Sequence, residues 1–299
     1  LAVALVSTSL LSLAIALPAS AAAASPAATP ACSVKNTSKG TSFGSMKKAV
    51  AAAAAGNRLE LRGTCPGQIA IGKNLTIVGV KTAATGRPTL TGRDQTRVLW
   101  IKEGATVRLS KLTIRDGFRP GGVSYPASTG AGILLDGIAI LTDVVVRDNV
   151  VTDPETGSGG IEIQLGTAKL TLQGASVMTG NVGGYGGAIE NYGTLRIKGS
   201  TRLHHNTAMN DGGAIYDGGT AVTIISGTAR LDHNTALDGG GVVLAGEGLA
   251  LEDDVSIDNN AATTGSGGGI KRNGGSLAGA TCGENVHDNT PEDIAPDCS

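Results

Sequence analysis

Residues 186–206 read Gly-Gly-Ala-Ile-Glu-Asn-Tyr-Gly-Thr-Leu-Arg-Ile-Lys-Gly-Ser-Thr-Arg-Leu-His-His-Asn. The same outline returns over Gly212–Asn234, Gly239–Asn260 and Gly267–Asn289, with weaker copies over Ala131–Asn149 and Gly159–Asn181. Aligned on the apolar residue after the small-residue cluster, the copies give the row Ile133, Ile161, Ile189, Ile215, Val242, Ile270. Its steps are 28, 28, 26, 27 and 28 residues. A period in this range marks a repeat architecture, each repeat being one supersecondary unit. A second apolar row, Val146, Met178, Leu203, Leu231, Ile257, Val286, stands three residues before a recurring asparagine: Asn149, Asn181, Asn206, Asn234, Asn260, Asn289.

Between these rows lie short alternating segments such as Thr194-Leu195-Arg196-Ile197-Lys198. Alternation of apolar and polar residues is the period of a half-buried strand. Each repeat thus offers about three short strands separated by Gly or Asn turns. One such unit cannot bury its apolar face alone but can do so against its neighbours. The sequence therefore predicts an all-β fold: a right-handed parallel β-helix, a solenoid of three strands per coil. Roughly nine coils at the interstrand spacing give a length of about 40 Å. The Ile and Leu rows become interior ladders, and the asparagine row can hydrogen-bond along the stack.

The Gly-Gly-Ala-Ile cluster and the closing Asn resemble the repeats of polymorphic outer-membrane proteins. The layout over roughly residues 57–290 resembles the pectin-lyase-like β-helix superfamily. That resemblance implies a cell-envelope or extracellular protein. It also directs attention to enzymes on this fold. Arg196-Ile197-Lys198 matches the Arg-Ile-Lys motif of polygalacturonases, but the motifs that precede it in that family, Asn-Thr-Asp, Asp-Asp and Gly-His-Gly, do not stand ahead of it here.

Leu1–Leu17 is apolar and uncharged, and Ala19-x-Ala21 after it suits signal peptidase. Residues 1–21 read as a secretory signal. The apolar run is short of the ~20 residues that span a bilayer, so no stable membrane span is expected in the mature chain. Residues 22–40 read as a linker, and 41–299 as a single β-helix domain: a capping helix over 41–56, coils over 57–290, and a C-terminal cap over 291–299. Within that cap helix, Phe43, Met46, Val50 and Ala53 share a face between Ser42 and Gly56. It would cover strand edges that otherwise invite aggregation.

Four cysteines in an exported chain suggest disulfides. Three pairings are possible, and sequence proximity favours Cys32–Cys65 and Cys282–Cys298. Their spacing does not suit zinc. With a formal net charge of −1 the chain offers no basic surface for nucleic acid. No motif calls for a cofactor.

In a strand, the neighbours of an inward residue point outward. The residues after the Ile row form the outer row Leu134, Glu162, Glu190, Tyr216, Val243, Lys271. Glu162 and Glu190 should sit on adjacent coils, ~5 Å apart at the backbone. Two carboxyl groups so close raise one proton affinity, and retaining glycosidases hold a pair about 5 Å apart. Two insertions, 118–129 and 150–158, bring Phe118, Arg119, Tyr125, Asp153 and Glu155 toward this face, and Tyr185 precedes it. In a chain that is 2% aromatic such a grouping suggests a carbohydrate surface. The plainer alternative is two solvated glutamates that happen to stack. A second outer row, Arg147, Thr179, His204, Asp232, Asp258, His287, carries ligand types that bind divalent metals, but a straight ladder converges ligands poorly, and a solvated row is expected. The sequence thus predicts a secreted, non-catalytic protein that binds polysaccharide or a cell-surface protein on its side face. The alternative is a polysaccharide lyase or glycoside hydrolase using Glu162 and Glu190 as catalytic groups, with Phe118, Arg119, Tyr125, Tyr185 and Tyr216 around the ligand.

Overall fold

A computed structural model describes residues 31–121 and 129–296. The signal segment, Tyr125 and Cys298 lie outside them. The chain is an all-β parallel solenoid of about 8 turns. The first-strand sheet stacks nine strands, from Ile69–Ile71 through Ile133–Leu135, Ile161–Ile163, Ile189–Asn191, Ile215–Asp217 and Val242–Leu244 to Ile294–Ala295. The second-strand sheet runs from Arg58–Arg62 to Ser276–Ala278, and the third from Thr64–Pro66 to Val286–His287. A fourth sheet of six two-residue strands, Phe118–Arg119 to Ala261–Ala262, follows the asparagine turn. Periodicity could not announce it, because two residues are too few to alternate.

Both apolar rows face inward as expected. Ile133, Ile161, Ile189, Ile215, Val242 and Ile270 are in direct register and buried. So are Val146, Met178, Leu203, Leu231, Ile257 and Val286. The asparagine ladder is continuous. The Nδ2 of each residue from Asn149 to Asn260 donates to the Oδ1 of the next, at 2.8–3.0 Å. The preceding residue of each turn takes positive φ, as at Asp148, His205, His233, Asn259 and Asp288. This left-handed kink sends the chain from the third-strand sheet into the fourth. The small-residue cluster has a different cause: a Cβ on Gly187 would stand 2.4 Å from the Gly213 carbonyl oxygen on the next turn. Only glycine allows the turns to approach so closely there.

The N-terminal region departs from expectation. The helix is Met46–Ala52, capped by Ser45, whose Oγ accepts the Lys48 N–H. Ser42 belongs instead to the strand Thr41–Phe43. That strand and Ser33–Asn36, placed in the expected linker, form an antiparallel extension on the Arg58–Arg62 edge. Alternation in Ser33-Val34-Lys35-Asn36, buried at Val34 and Asn36, carries a strand signal too short to outweigh the surrounding polar residues. The helix packs Met46, Ala49 and Val50 into the core. The Cys32–Cys65 disulfide ties this extension to the first third-strand element. Cys298 being outside the described residues, the pairing Cys282–Cys298 is outside them too. Among the described residues no helix is long and apolar enough to cross a membrane.

Candidate functional site

Ile161-Glu162-Ile163 and Ile189-Glu190-Asn191 are paired in register, Glu162 opposite Glu190. With Ile161 and Ile189 inward, both glutamates leave the tube on its outer face, about 4.8 Å apart at the backbone. They are nevertheless only 2% and 3% exposed, so neither is a solvated glutamate. The insertion 150–158 lies over this face. Gly184 N–H donates to Gly157 O at 2.9 Å and Asn210 Nδ2 to Pro154 O at 2.7 Å, strapping the insertion to later turns.

The result is a cleft of about 540 Å³ whose lining includes Glu155, Thr156, Glu162, Tyr185, Glu190 and Tyr192. The Tyr192 hydroxyl donates to Glu190 Oε1 at 2.7 Å. Tyr216, beside Glu190 in the row, packs on Tyr185 with ring centroids 5.1 Å apart and on Tyr192 at 6.5 Å. Burial raises the Glu162 carboxyl well above the usual range, and the Glu190 charge adds to this; Arg97, the Ser158 main chain and Thr129 oppose it. Burial likewise pushes Glu190 up to about 7, against the Tyr192 hydroxyl and the Gly157 main chain. A carboxyl pair that keeps protons near neutrality can donate as well as accept hydrogen bonds. It is also the type of group that serves as a general acid.

The structure brings together Glu162, Glu190, Tyr185 and Tyr216. It does not bring Phe118 and Arg119 to them. These two form the first strand of the fourth sheet, paired with Val150–Val151. Arg119 instead lines a smaller cavity of about 190 Å³ with Gln68, Arg97 and Trp100. Loop length alone could not say on which side the insertion's first residues would join a ladder. Tyr125 lies outside the described residues. Asp153 Oδ1 accepts the Glu155 N–H and shapes the strap.

Two residues escaped the sequence reading. Tyr192, two positions after Glu190, shares its outward parity, which the strand period would have supplied. Asp217 shares the inward parity of Ile215 and is fully buried inside the tube. Its Oδ1 accepts from Asn191 Nδ2 at 2.9 Å and Thr223 Oγ1 at 2.7 Å. Burial lifts its proton affinity to about 7 in spite of these bonds. Asn191 Oδ1 in turn accepts the Gly193 N–H at 2.9 Å, fixing the turn that presents Tyr192. A polar residue in an inward row was the available signal.

In the histidine–aspartate row the two aspartates are not solvated, whereas Arg147, Thr179, His204 and His287 are half-buried. Asp232 and Asp258 are buried, each gripped by two guanidinium nitrogens from the preceding turn, Arg202 on Asp232 and Arg230 on Asp258. Burial alone would raise Asp258, but Arg230, Ser256 and Asn259 together bring it down to about 2. The diagonal arginines turn a row of carboxylates into an ion-pair ladder that holds adjacent turns together. Among the described residues, no group of three or more His, Cys, Asp or Glu could hold a metal ion. Comparison with models of known families, with curated proteins and with solved structures finds no match.

Proposed function

We propose that this protein is exported and binds a polysaccharide chain in the cleft on its first-strand face, without cleaving it. The observation that carries the reading is the convergence of Tyr185 and Tyr192 on the Glu162–Glu190 pair in one cleft, with Tyr216 packed against both rings. Aromatic rings offer faces to the apolar side of a sugar, and carboxyl groups bond its hydroxyls. The Cys32–Cys65 disulfide fits an oxidising compartment. In this reading the solenoid is right-handed, with three principal strands per coil, and the helix Met46–Ala52 covers its N-terminal end.

A second reading, acid–base cleavage of the bound chain, is favoured by one feature: the Tyr192 hydroxyl bonded to a Glu190 carboxyl that stays protonated near neutrality. A single experiment separates the two. The purified protein is titrated with immobilised polysaccharides while reducing ends are assayed. Binding without new ends, weakened at least tenfold by Tyr216→Ala and largely kept by Glu190→Gln, supports the binding reading. Turnover abolished by Glu190→Gln replaces it with the enzymatic one. Indifference of every ligand to both changes refutes this site.

A further inference from the structure

We infer that the cleft is built for a sugar bearing a free amino group, and that the ammonium sits against Glu162 and Glu190. The inference rests on the polysaccharide reading above and names the chemical class that reading leaves open.

Three observations lead there. First, the cleft holds a concentration of unanswered acceptors. Among the described residues, seven buried side-chain oxygens lack a hydrogen-bond partner, and Glu162 Oε2, Glu190 Oε2, Gln164 Oε1 and Thr156 Oγ1 are four of them. All four residues line the same cleft. A buried acceptor without a donor is costly, so the ligand that completes this site brings donors. An ammonium brings three, on one atom.

Second, the described residues lining the cleft include Glu155, Glu162 and Glu190 but neither lysine nor arginine. Arg97, whose charge acts on Glu162, stands outside the lining. Arg97 donates to the carbonyl oxygens of Gly130 and Thr129, and Lys271 lies 2.7 Å from Asp238. A uronate would bring a negative charge to a site whose burial already disfavours anions, with no guanidinium or ammonium in the lining to receive it. An ammonium entering the cleft would favour ionisation of these carboxyls, which would pass from buried neutral acids to paired carboxylates.

Third, the dimensions suit an organic ligand better than a bare ion. A calcium ion takes six to eight oxygens at about 2.3–2.6 Å in a close cage. Here the volume is about 540 Å³, and tyrosine rings form one flank, with Tyr185 and Tyr216 in contact. That shape gives a sugar ring a face to lie on while its amino group reaches the carboxyl floor.

The test uses isothermal titration of the full chain at pH 6 with four probes: glucosamine oligomers, the same oligomers N-acetylated, oligogalacturonate, and calcium chloride. The expected result is binding of the glucosamine oligomer at least tenfold tighter than its N-acetylated counterpart, with oligogalacturonate weakest. The double variant Glu162→Gln/Glu190→Gln, checked for an unchanged circular dichroism spectrum, should erase the preference while leaving residual sugar binding. Glu162→Gln alone is the reserve should the double variant not fold, and it should reduce the preference several-fold. Equal or tighter binding of the N-acetylated oligomer, or preference for oligogalacturonate, overturns the inference and leaves the polysaccharide reading standing. Calcium binding that depends on both glutamates and is unaffected by oligosaccharide also overturns it. Failure of every oligosaccharide to bind refutes both readings together.

Discussion

Replacing Asn206 by alanine tests the asparagine ladder at its centre. Asn206 is fully buried. Its Oδ1 accepts from the Asn181 main-chain N–H at 3.2 Å and from Asn181 Nδ2 at 2.9 Å. Its Nδ2 donates to Met178 O at 3.0 Å, His204 O at 3.1 Å and Asn234 Oδ1 at 2.9 Å. Asn206→Ala keeps the main-chain bond from Asn206 N–H to Asn234 Oδ1 but strands two donors of Asn181 in a space closed to water. Each such donor costs about 1–3 kcal/mol, so the variant should lose roughly 3–5 kcal/mol. The assay is urea unfolding followed by circular dichroism, with Asn210→Ala beside it. Asn210 makes an exposed side-chain bond to Pro154 O, worth about 1 kcal/mol. Asn206→Asp adds a check with a sign. It keeps the acceptor but turns an oxygen toward the Met178 and His204 carbonyls, which raises the folded-state proton affinity of the new carboxyl. A raised folded-state pKa favours the native state below the unfolded value and loses that advantage as pH rises through the folded one. Asn206→Asp should therefore be more stable at pH 4 than at pH 8. A loss below 1 kcal/mol for Asn206→Ala, or one equal to that of Asn210→Ala, would refute the view that the ladder holds the turns together.

Three further outcomes follow from the same geometry. Ile215, buried between Ile189 and Val242, should cost about 3 kcal/mol or more as Ile215→Ala, whereas Lys198→Ala at an exposed position should stay near 0.5 kcal/mol; equal losses in urea unfolding would put the register in error. Glu162, Glu190 and Asp217 all have raised folded-state proton affinities, the last two reaching about 7. The stabilising protons of Glu190 and Asp217 are held below the unfolded range near pH 4 and lost as pH rises through about 7. The melting temperature of the free protein should thus fall between pH 5 and pH 8 by roughly 5 °C or more, and Glu190→Gln should shrink that fall; a melting temperature that rises over this interval contradicts the assignment. Opening the Cys32–Cys65 bond, which closes a sequence separation of 33, should cost about 3–4 kcal/mol by loop entropy, read as the shift in urea midpoint of Cys32→Ser/Cys65→Ser.

The sequence by itself determined the solenoid, its inward rows and its asparagine ladder. A repeat of nearly constant length forces each residue of one unit beside its counterpart in the next, so parity and period place Ile189 inward and Glu190 outward with no tertiary information. The same parity placed Glu162 beside Glu190. What it could not supply was the environment of that outer face. Whether an outward glutamate is solvated depends on where the 150–158 insertion folds back, and this is fixed by bonds to Gly184 and Asn210, in other turns. Phe118 and Arg119 show the same limit: a fourth ladder captured them because Val150 and Val151 offered a backbone partner. Asp232 and Asp258 became buried because arginines one turn earlier reach across on the diagonal. Repetition fixes neighbours along the stack, whereas loops and long side chains cross it, and only the tertiary structure decides where they land.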